Sequence, residues 1–300
     1  MSRSTDRRGP AYVAIAISFF SVAAACGGEA GDVADATEQP ADATSQRVRE
    51  AEGRLQASEG GRVVLRAIDA AGGLQSWYDK PTSAYGWEYS NVGSNIQFKS
   101  HLVADNNSRR MYHRLVSLGD YQAAKPIDGR FAWDGSEAWI WPAEIDRVNP
   151  RFWASTGYYF SSIPFVLADP GITYEMIPDE ELDGVAYDMV KVGYEAGVGD
   201  ASDNYTLYVD KETDRLRAIR YTVTFGGRPA RGETLFYYDE YVTVEGLTVP
   251  THFVGHSFVD GQKGDFRNEA WVTEISFSEA FDTTQLVMPE GGRIQPLPGS

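Results

Sequence analysis

The chain has 300 residues, enough for one large domain or two small ones. Its formal net charge of −16 argues against a nucleic-acid partner and against docking on an anionic membrane by charge alone. Thirty glycines beside 13% aromatic residues point to many strands joined by many turns.

The first element is an export signal. Arg3, Arg7 and Arg8 make a basic start, and AYVAIAISFFSVAAA, Ala11 to Ala25, follows without charge. That run of 15 residues is short of the roughly 20 a membrane helix needs, and suits the apolar part of a signal peptide. Its end, AAAC, resembles a bacterial lipobox, with Ala23 where Leu is commoner. Such a signal is cut before Cys26, whose thiol takes a diacylglyceryl group; the alternative is an ordinary signal with an incidental cysteine. Cys26 is the only cysteine, so no internal disulfide can form, and lipid capping explains how an exported thiol is tolerated. Loss of residues 1–25 removes three Arg and one Asp and takes the charge to −18. Residues 27–46, GGEAGDVADATEQPADATSQ, hold almost no large apolar side chain and read as a flexible acidic tether spanning roughly 25 Å. Gly27 after the cysteine matches outer-membrane sorting in enteric bacteria, so the expected address is the outer membrane, facing the periplasm. The division is therefore 1–25 signal, 26–46 lipidated cysteine and tether, 47–290 folded domain and 291–300 loose tail.

Residues 45–72 form the one clear helical region, as one bent helix or two short ones. Val48, Ala51 and Leu55 share a face, as do Val64, Leu65, Ile68 and Ala71, and Gly72–Gly73 supplies a stop. From about Tyr85 the pattern turns to strands. In NYTLYVD, Tyr205, Leu207 and Val209 alternate with polar neighbours. In RAIRYTVTF, Ile219, Tyr221, Val223 and Phe225 alternate with Ala218, Arg220, Thr222 and Thr224, giving one wet face. DKETDR joins the two as a hairpin, and PDEELDG (178–184) and GDASDN (199–204) read as turns. About ten such runs imply a large antiparallel sheet or barrel.

One stretch fits neither period. RFWASTGYYFSSIPFVLADPG, residues 151–171, is aromatic yet interrupted by Pro164 and bounded by Arg151 and Asp169, which excludes a membrane span. It is expected to form one or two short helical turns, broken near Gly157 and Pro164, that press Phe152, Trp153, Tyr159, Phe160 and Phe165 into the concave face of the sheet. Trp139 and Trp141 share one side of their strand by period two, and with Trp133 they are expected to meet this cap or a ligand there.

Chemistry is sparse by comparison. His252 and His256 in HFVGH fall on one face of a strand, about 13 Å apart, too far for one metal. GHSFV lacks the second glycine of a nucleophile elbow, which sets Ser257 aside. Nothing in the sequence fixes two carboxylates across a cleft, as a glycosidase needs. No calcium loop or phosphate-binding glycine loop is found. No catalytic residue, metal or cofactor is therefore expected, and the protein is not expected to be an enzyme.

Several pieces in order give the chain a family likeness. AAGGLQSWYDK, DGRFAWDGSEAWIW, YVDKETDRLRAIRY, YDEYVTVEGLTVPTHF and YYFSSIPFVLADPG, between roughly residues 50 and 285, resemble the LolA/LolB lipoprotein carriers and uncharacterised bacterial lipoproteins of that superfamily. The resemblance implies a mainly β (α+β) fold: a large curved antiparallel sheet forming an incomplete, half-open β-barrel, with an N-terminal helix and short capping helices. It also implies an apolar concavity able to take a lipid or other hydrophobic molecule. The lipobox departs from a soluble shuttle and favours a resident, anchored protein. Two other readings stand beside lipid binding: an envelope interaction protein whose barrel is plugged by its own side chains, with an envelope protein as partner, or a carboxylate-based hydrolase.

Overall fold

The computed structural model describes residues 40–195, 203–225, 227, 229–230 and 232–296. The expected export signal, Cys26 and residues 27–39 of the expected tether lie outside the described residues.

Three helices open the fold: α1 (Pro40–Gln56), α2 (Glu59–Ala70) and α3 (Gly73–Tyr78). The helical region is thus two helices, with α1 starting inside the expected tether. Ser58 separates them: its side chain accepts the Gly61 N–H at 3.0 Å and caps α2. Ala51, Leu55, Val64 and Ile68 are fully buried, and Val48 packs beside them, as their helical spacing requires. The expected stop at Gly72 is a turn into α3. Gly72 has φ 119°, and a Cβ there would lie 2.3 Å from the Gly246 carbonyl oxygen, so only glycine fits. The Thr248 N–H donates to the Ala71 carbonyl at 2.8 Å and seals the same contact.

The strands are β1 (Thr82–Asn91), β2 (Ile96–Asp105), β3 (Met111–Gly119), β4 (Lys125–Trp133), β5 (Ala138–Trp141), β6 (Ile172–Leu182), β7 (Val185–Tyr194), β8 (Tyr205–Asp210), β9 (Leu216–Tyr221), β10 (Glu233–Val244), β11 (Leu247–Val259), β12 (Gln262–Ser276) and β13 (Arg293–Gln295). They form one antiparallel sheet in the order β13-β5-β4-β3-β2-β1-β12-β11-β10-β9-β8-β7-β6. Hairpins build both wings, and the β1–β12 pair joins them. Between β5 near one edge and β6 at the other, the chain must cross the sheet. The crossing is α4 (Pro150–Ser162) followed by a 3-10 turn, Phe165–Ala168.

Contacts of α4 demonstrate that the sheet curls. The Ala154 carbonyl of α4 meets His113 on β3, while Tyr159, five residues on, meets Tyr194 on β7. These strands stand eight places apart in the sheet, roughly 38 Å if flat at ~4.8 Å per strand. A helix about 10–12 Å wide can touch both only inside a trough. Among the described residues the edges β6 and β13 each pair with a single neighbour, so the barrel they form is open. The fold is the mainly β, half-open barrel implied by the sequence motifs, with helices on its inner face.

Several local expectations are corrected. PDEELDG is mostly strand: β6 runs to Leu182, and only Asp183–Gly184 turns. Its Glu180 pairs with Arg220 at 2.8 Å, which accounts for acidic residues inside a strand. The tail is not wholly loose, because Arg293–Gln295 pairs with β5. The second strand of the central hairpin ends at Tyr221, so Val223 and Phe225 leave the sheet. The outer face of this wing is not simply wet either. Ala218 is fully buried there with Tyr208, Leu235, Tyr237 and Phe258. Arginines roof this patch: Arg220 lies 4.6 Å over the Phe258 ring and Arg217 lies 5.1 Å over Tyr237.

Candidate functional site

The residues of α4 divide by face. Asn149 caps its N-terminus, accepting the Arg151 N–H at 3.0 Å, and Pro150 fits the first turn. The helix runs unbroken through Gly157, contrary to the expected break. Gly157 is needed for packing: a Cβ would sit 3.0 to 3.2 Å from the Trp87 ring. The break falls after Ser162, at Pro164, as the missing proline N–H dictates.

The face of α4 toward the trough is fixed. Trp153 packs on Tyr89 and Phe98 at ring distances of 4.5 and 5.0 Å. Phe160 wedges between Tyr221 and Phe236 at 5.0 and 5.2 Å. His113 Nε2 donates to the Ala154 carbonyl at 2.9 Å. A carbonyl can only accept, so Nδ1 carries no proton and takes the Ser100 hydroxyl at 3.0 Å. Burial holds the His113 pKa down, to about 3, so the ring is neutral.

The other face of α4 borders a cavity of about 350 Å³. Phe152, Ser155, Thr156, Tyr159 and Phe160 form its helical wall. Tyr194 at the end of β7, Tyr205 at the start of β8 and Tyr221 at the end of β9 stand opposite, joined by Ile172, Val223 and Phe225. Trp133, Met111 and Val166 close further sides. Phe152 and Phe225 touch at 5.2 Å, and Tyr205 lies parallel to Tyr221 at 6.1 Å. The hydroxyls of Tyr159 and Tyr194 bond to each other.

Among the described residues, charge enters this lining at four positions. Arg109 Nη2 donates to both oxygens of Asp169, at 2.7 and 2.6 Å, and its Nη1 bonds the Tyr158 hydroxyl. Arg151 lies 4.6 Å over the Trp133 ring and donates to the Ser136 carbonyl at 3.2 Å. Asp203 accepts the Thr224 N–H at 2.6 Å, and burial raises its pKa above the ordinary carboxylate value. Burial pushes Tyr158 and Tyr194 up to about 12, and holds Tyr159 and Tyr205 well above the ordinary phenol value. The site therefore presents neutral hydroxyls and aromatic faces.

Of the residues singled out from the sequence, Trp133, Phe152, Tyr159 and Phe160 meet at this cavity. Trp153 lies beneath α4, and Phe165 is fully buried against Trp77, stacked at 4.8 Å. Trp139 and Trp141 are corrected: they lie on the outer face. Trp139 Nε1 donates to the Leu286 carbonyl at 2.7 Å, and Trp141 Nε1 to that of Glu290 at 3.0 Å. Period two puts both on one side but does not say which, and the C-terminal segment covers the outer one. Cys26 lies outside the described residues. Arg109, Asp169, Tyr194, Tyr205 and Tyr221 were missed as site residues. The alternation of Tyr205 and Tyr221 marked them as inward-facing, but nothing local linked them to residues 151–171.

A half-open antiparallel barrel with a helix laid in its trough defines a LolA-type fold. The chain is similar to the crystal structure of a LolA superfamily protein from Nitrosomonas europaea, with TM-score 0.50 and 6% identity over 77% of this chain and 99% of that one. It also matches a DUF1329 family protein from Desulfovibrio piger ATCC 29098, with TM-score 0.48 and 10% identity over 78% and 97%. No family model matches the chain, and no curated protein does. The likeness is one of fold, and the fold is the one the sequence motifs resemble.

Proposed function

We propose that this is a membrane-anchored envelope lipoprotein that holds one small hydrophobic or single-chain lipid molecule between α4 and the ends of β7, β8 and β9. The observation that carries the reading is the cavity itself. Its volume of about 350 Å³ is at the lower end of small-molecule sites, and aromatic and aliphatic side chains dominate its walls. The trough floor is filled by Trp153, Gly157 and Phe160, so the cap acts as a fixed wedge and the ligand lies on its outer side. In this reading Trp133, Phe152, Tyr159 and Phe160 are ligand-binding residues, while Trp153 and Phe165 hold the wedge. Anchoring through Cys26 after removal of residues 1–25, a tether to about residue 39, and an outer-membrane position facing the periplasm complete the proposal. Their support is the lipobox-like AAAC and the Gly27 that follows it.

Ser155 tests the site, because it is exposed and lines the cavity. Ser155→Trp should fill the cavity and weaken uptake of a fluorescent fatty alcohol at least about tenfold, roughly 1.4 kcal/mol. The melting temperature should stay within a few degrees of wild type. Unchanged uptake in a folded variant would move the ligand elsewhere.

A second reading draws on the fixed underside of α4: a plugged barrel serving as an envelope interaction module. It gains if the purified chain carries no lipid by mass spectrometry and takes up none, while an envelope partner binds it equally before and after Ser155→Trp.

A further inference from the structure

Among the described residues, the charged groups of the cavity are already committed. Arg109 spends two donor contacts on Asp169 and one on Tyr158. Arg151 rests on Trp133 and Ser136. Asp203 is held by the Thr224 amide. Among the described residues of the lining, two arginines face two aspartates, so these four carry no surplus positive charge to greet an anion. The net charge of −16 opposes an anion from a distance as well. A carboxylate entering here would have to draw Arg109 from Asp169, draw Arg151 from Trp133 and Ser136, or lie near Asp203 in a low-dielectric wall, and each costs free energy.

The remaining polar lining is hydroxyl. Ser155, Thr156, Tyr159, Tyr194, Tyr205 and Thr222 stand around an otherwise apolar space. Thr156 donates to the Phe152 carbonyl, Thr222 donates to Asp203, and Tyr159 and Tyr194 bond each other, so Ser155, Tyr205 and the second hydrogen of the tyrosine pair are the donors that face a ligand. A hydroxyl both donates and accepts, so this wall can satisfy an alcohol or ester oxygen without introducing charge. Specificity of this kind comes from a few placed polar groups in an apolar pocket.

Resting on the lipid-binding reading above, we propose that the cavity selects uncharged single-chain lipids bearing a hydroxyl or ester oxygen, and rejects the anion of the same chain. The tail lies among Phe160, Tyr221, Val223 and Phe225, and the oxygen meets the hydroxyl wall.

The experiment compares dodecanol, methyl dodecanoate and dodecanoate at neutral pH on the full chain stripped of co-purifying lipid, followed by Trp133-sensitive fluorescence and by calorimetry. Dodecanol and the ester should bind, and dodecanoate should bind roughly tenfold or more weakly. Asp203→Asn and Asp169→Asn each remove a carboxylate from the lining, and the second also releases Arg109. Both should narrow the gap by strengthening dodecanoate binding. Asp203→Asn keeps the test open if Asp169→Asn fails to fold. Equal binding of dodecanol and dodecanoate by the wild type overturns the selectivity while leaving lipid binding intact. Binding of none of the three overturns both.

Discussion

His113 is 1% exposed and links β3 to the middle of α4. Its ring stacks on Phe131 at 4.2 Å, so it has no room to gain a water shell on protonation. Its folded pKa is about 3, below the ordinary 6.5. Between those values the unfolded chain binds a proton that the folded chain does not. The stability contribution is therefore complete above about pH 6.5 and is lost as pH falls toward about 3. At 1.36 kcal/mol per unit, the loss reaches a few kcal/mol. His113→Gln keeps a donor for Ala154 and removes the titration. It should be less stable at neutral pH and show a shallower fall between pH 6.5 and 4.5 in urea denaturation. Parallel slopes for the two proteins would refute the assignment.

That interaction was not legible in the sequence. An isolated histidine in a strand gives no sign of which carbonyl will reach it, because Ala154 lies 41 residues on. Gly157 misled for a related reason. Glycine lowers helix propensity, which predicts a break. Here the close approach of the Trp87 ring outweighs that local cost.

At the scale of elements, α4 and the turn after it behave as two inserts. Phe165 is fully enclosed, stacked on Trp77 within 8° of parallel. Phe160 is 8% exposed and has the cavity on one side. Phe165→Ala removes contacts in every direction and should cost about 3–5 kcal/mol. Phe160→Ala should cost less, about 2–3 kcal/mol, since one of its flanks already borders open space. It should also enlarge the cavity and improve uptake of a bulkier alcohol. Chemical denaturation of both variants checks the order. A larger loss for Phe160→Ala would make the wedge, rather than the turn, the main attachment.

Elements with clean periods were legible. Val64 and Ile68 bury as a helical face, and Leu207 pairs with Ile219 in the central hairpin. β6 was not. As an edge strand it carries Pro178, Asp179, Glu180 and Glu181; Asp179 pairs with Lys211 in the turn after β8 and Glu180 with Arg220 on β9, partners that sequence distance conceals. α3 was missed because Gly72 reads as an ending, while its real work is to let the chain touch Gly246.

Over the whole molecule, the strand order explains why the site lies where it does. The chain completes one wing at β5, must start the other at the far edge with β6, and so lays residues 150–168 across the trough. Motifs along the sequence indicated the half-open barrel, because turns and hairpins are local. The cavity was only half legible, because its second wall comes from the opposite wing and meets α4 only when the sheet curls. This wall belongs to the folded domain alone, so the anchor and the site should be separable. Replacing residues 1–26 by an ordinary cleavable export signal should leave dodecanol affinity within about twofold, under ~0.5 kcal/mol. The same change should move the protein from the detergent-extracted membrane fraction to the soluble periplasmic fraction. Mass spectrometry of the native N-terminal peptide should find Cys26 carrying a diacylglyceryl group. A native peptide without lipid, or a signal-swapped chain that still pellets with membranes, would show that Cys26 is not the anchor. Loss of dodecanol binding on the swap would instead tie the cavity to the N-terminal segment, against the independence that the fold implies.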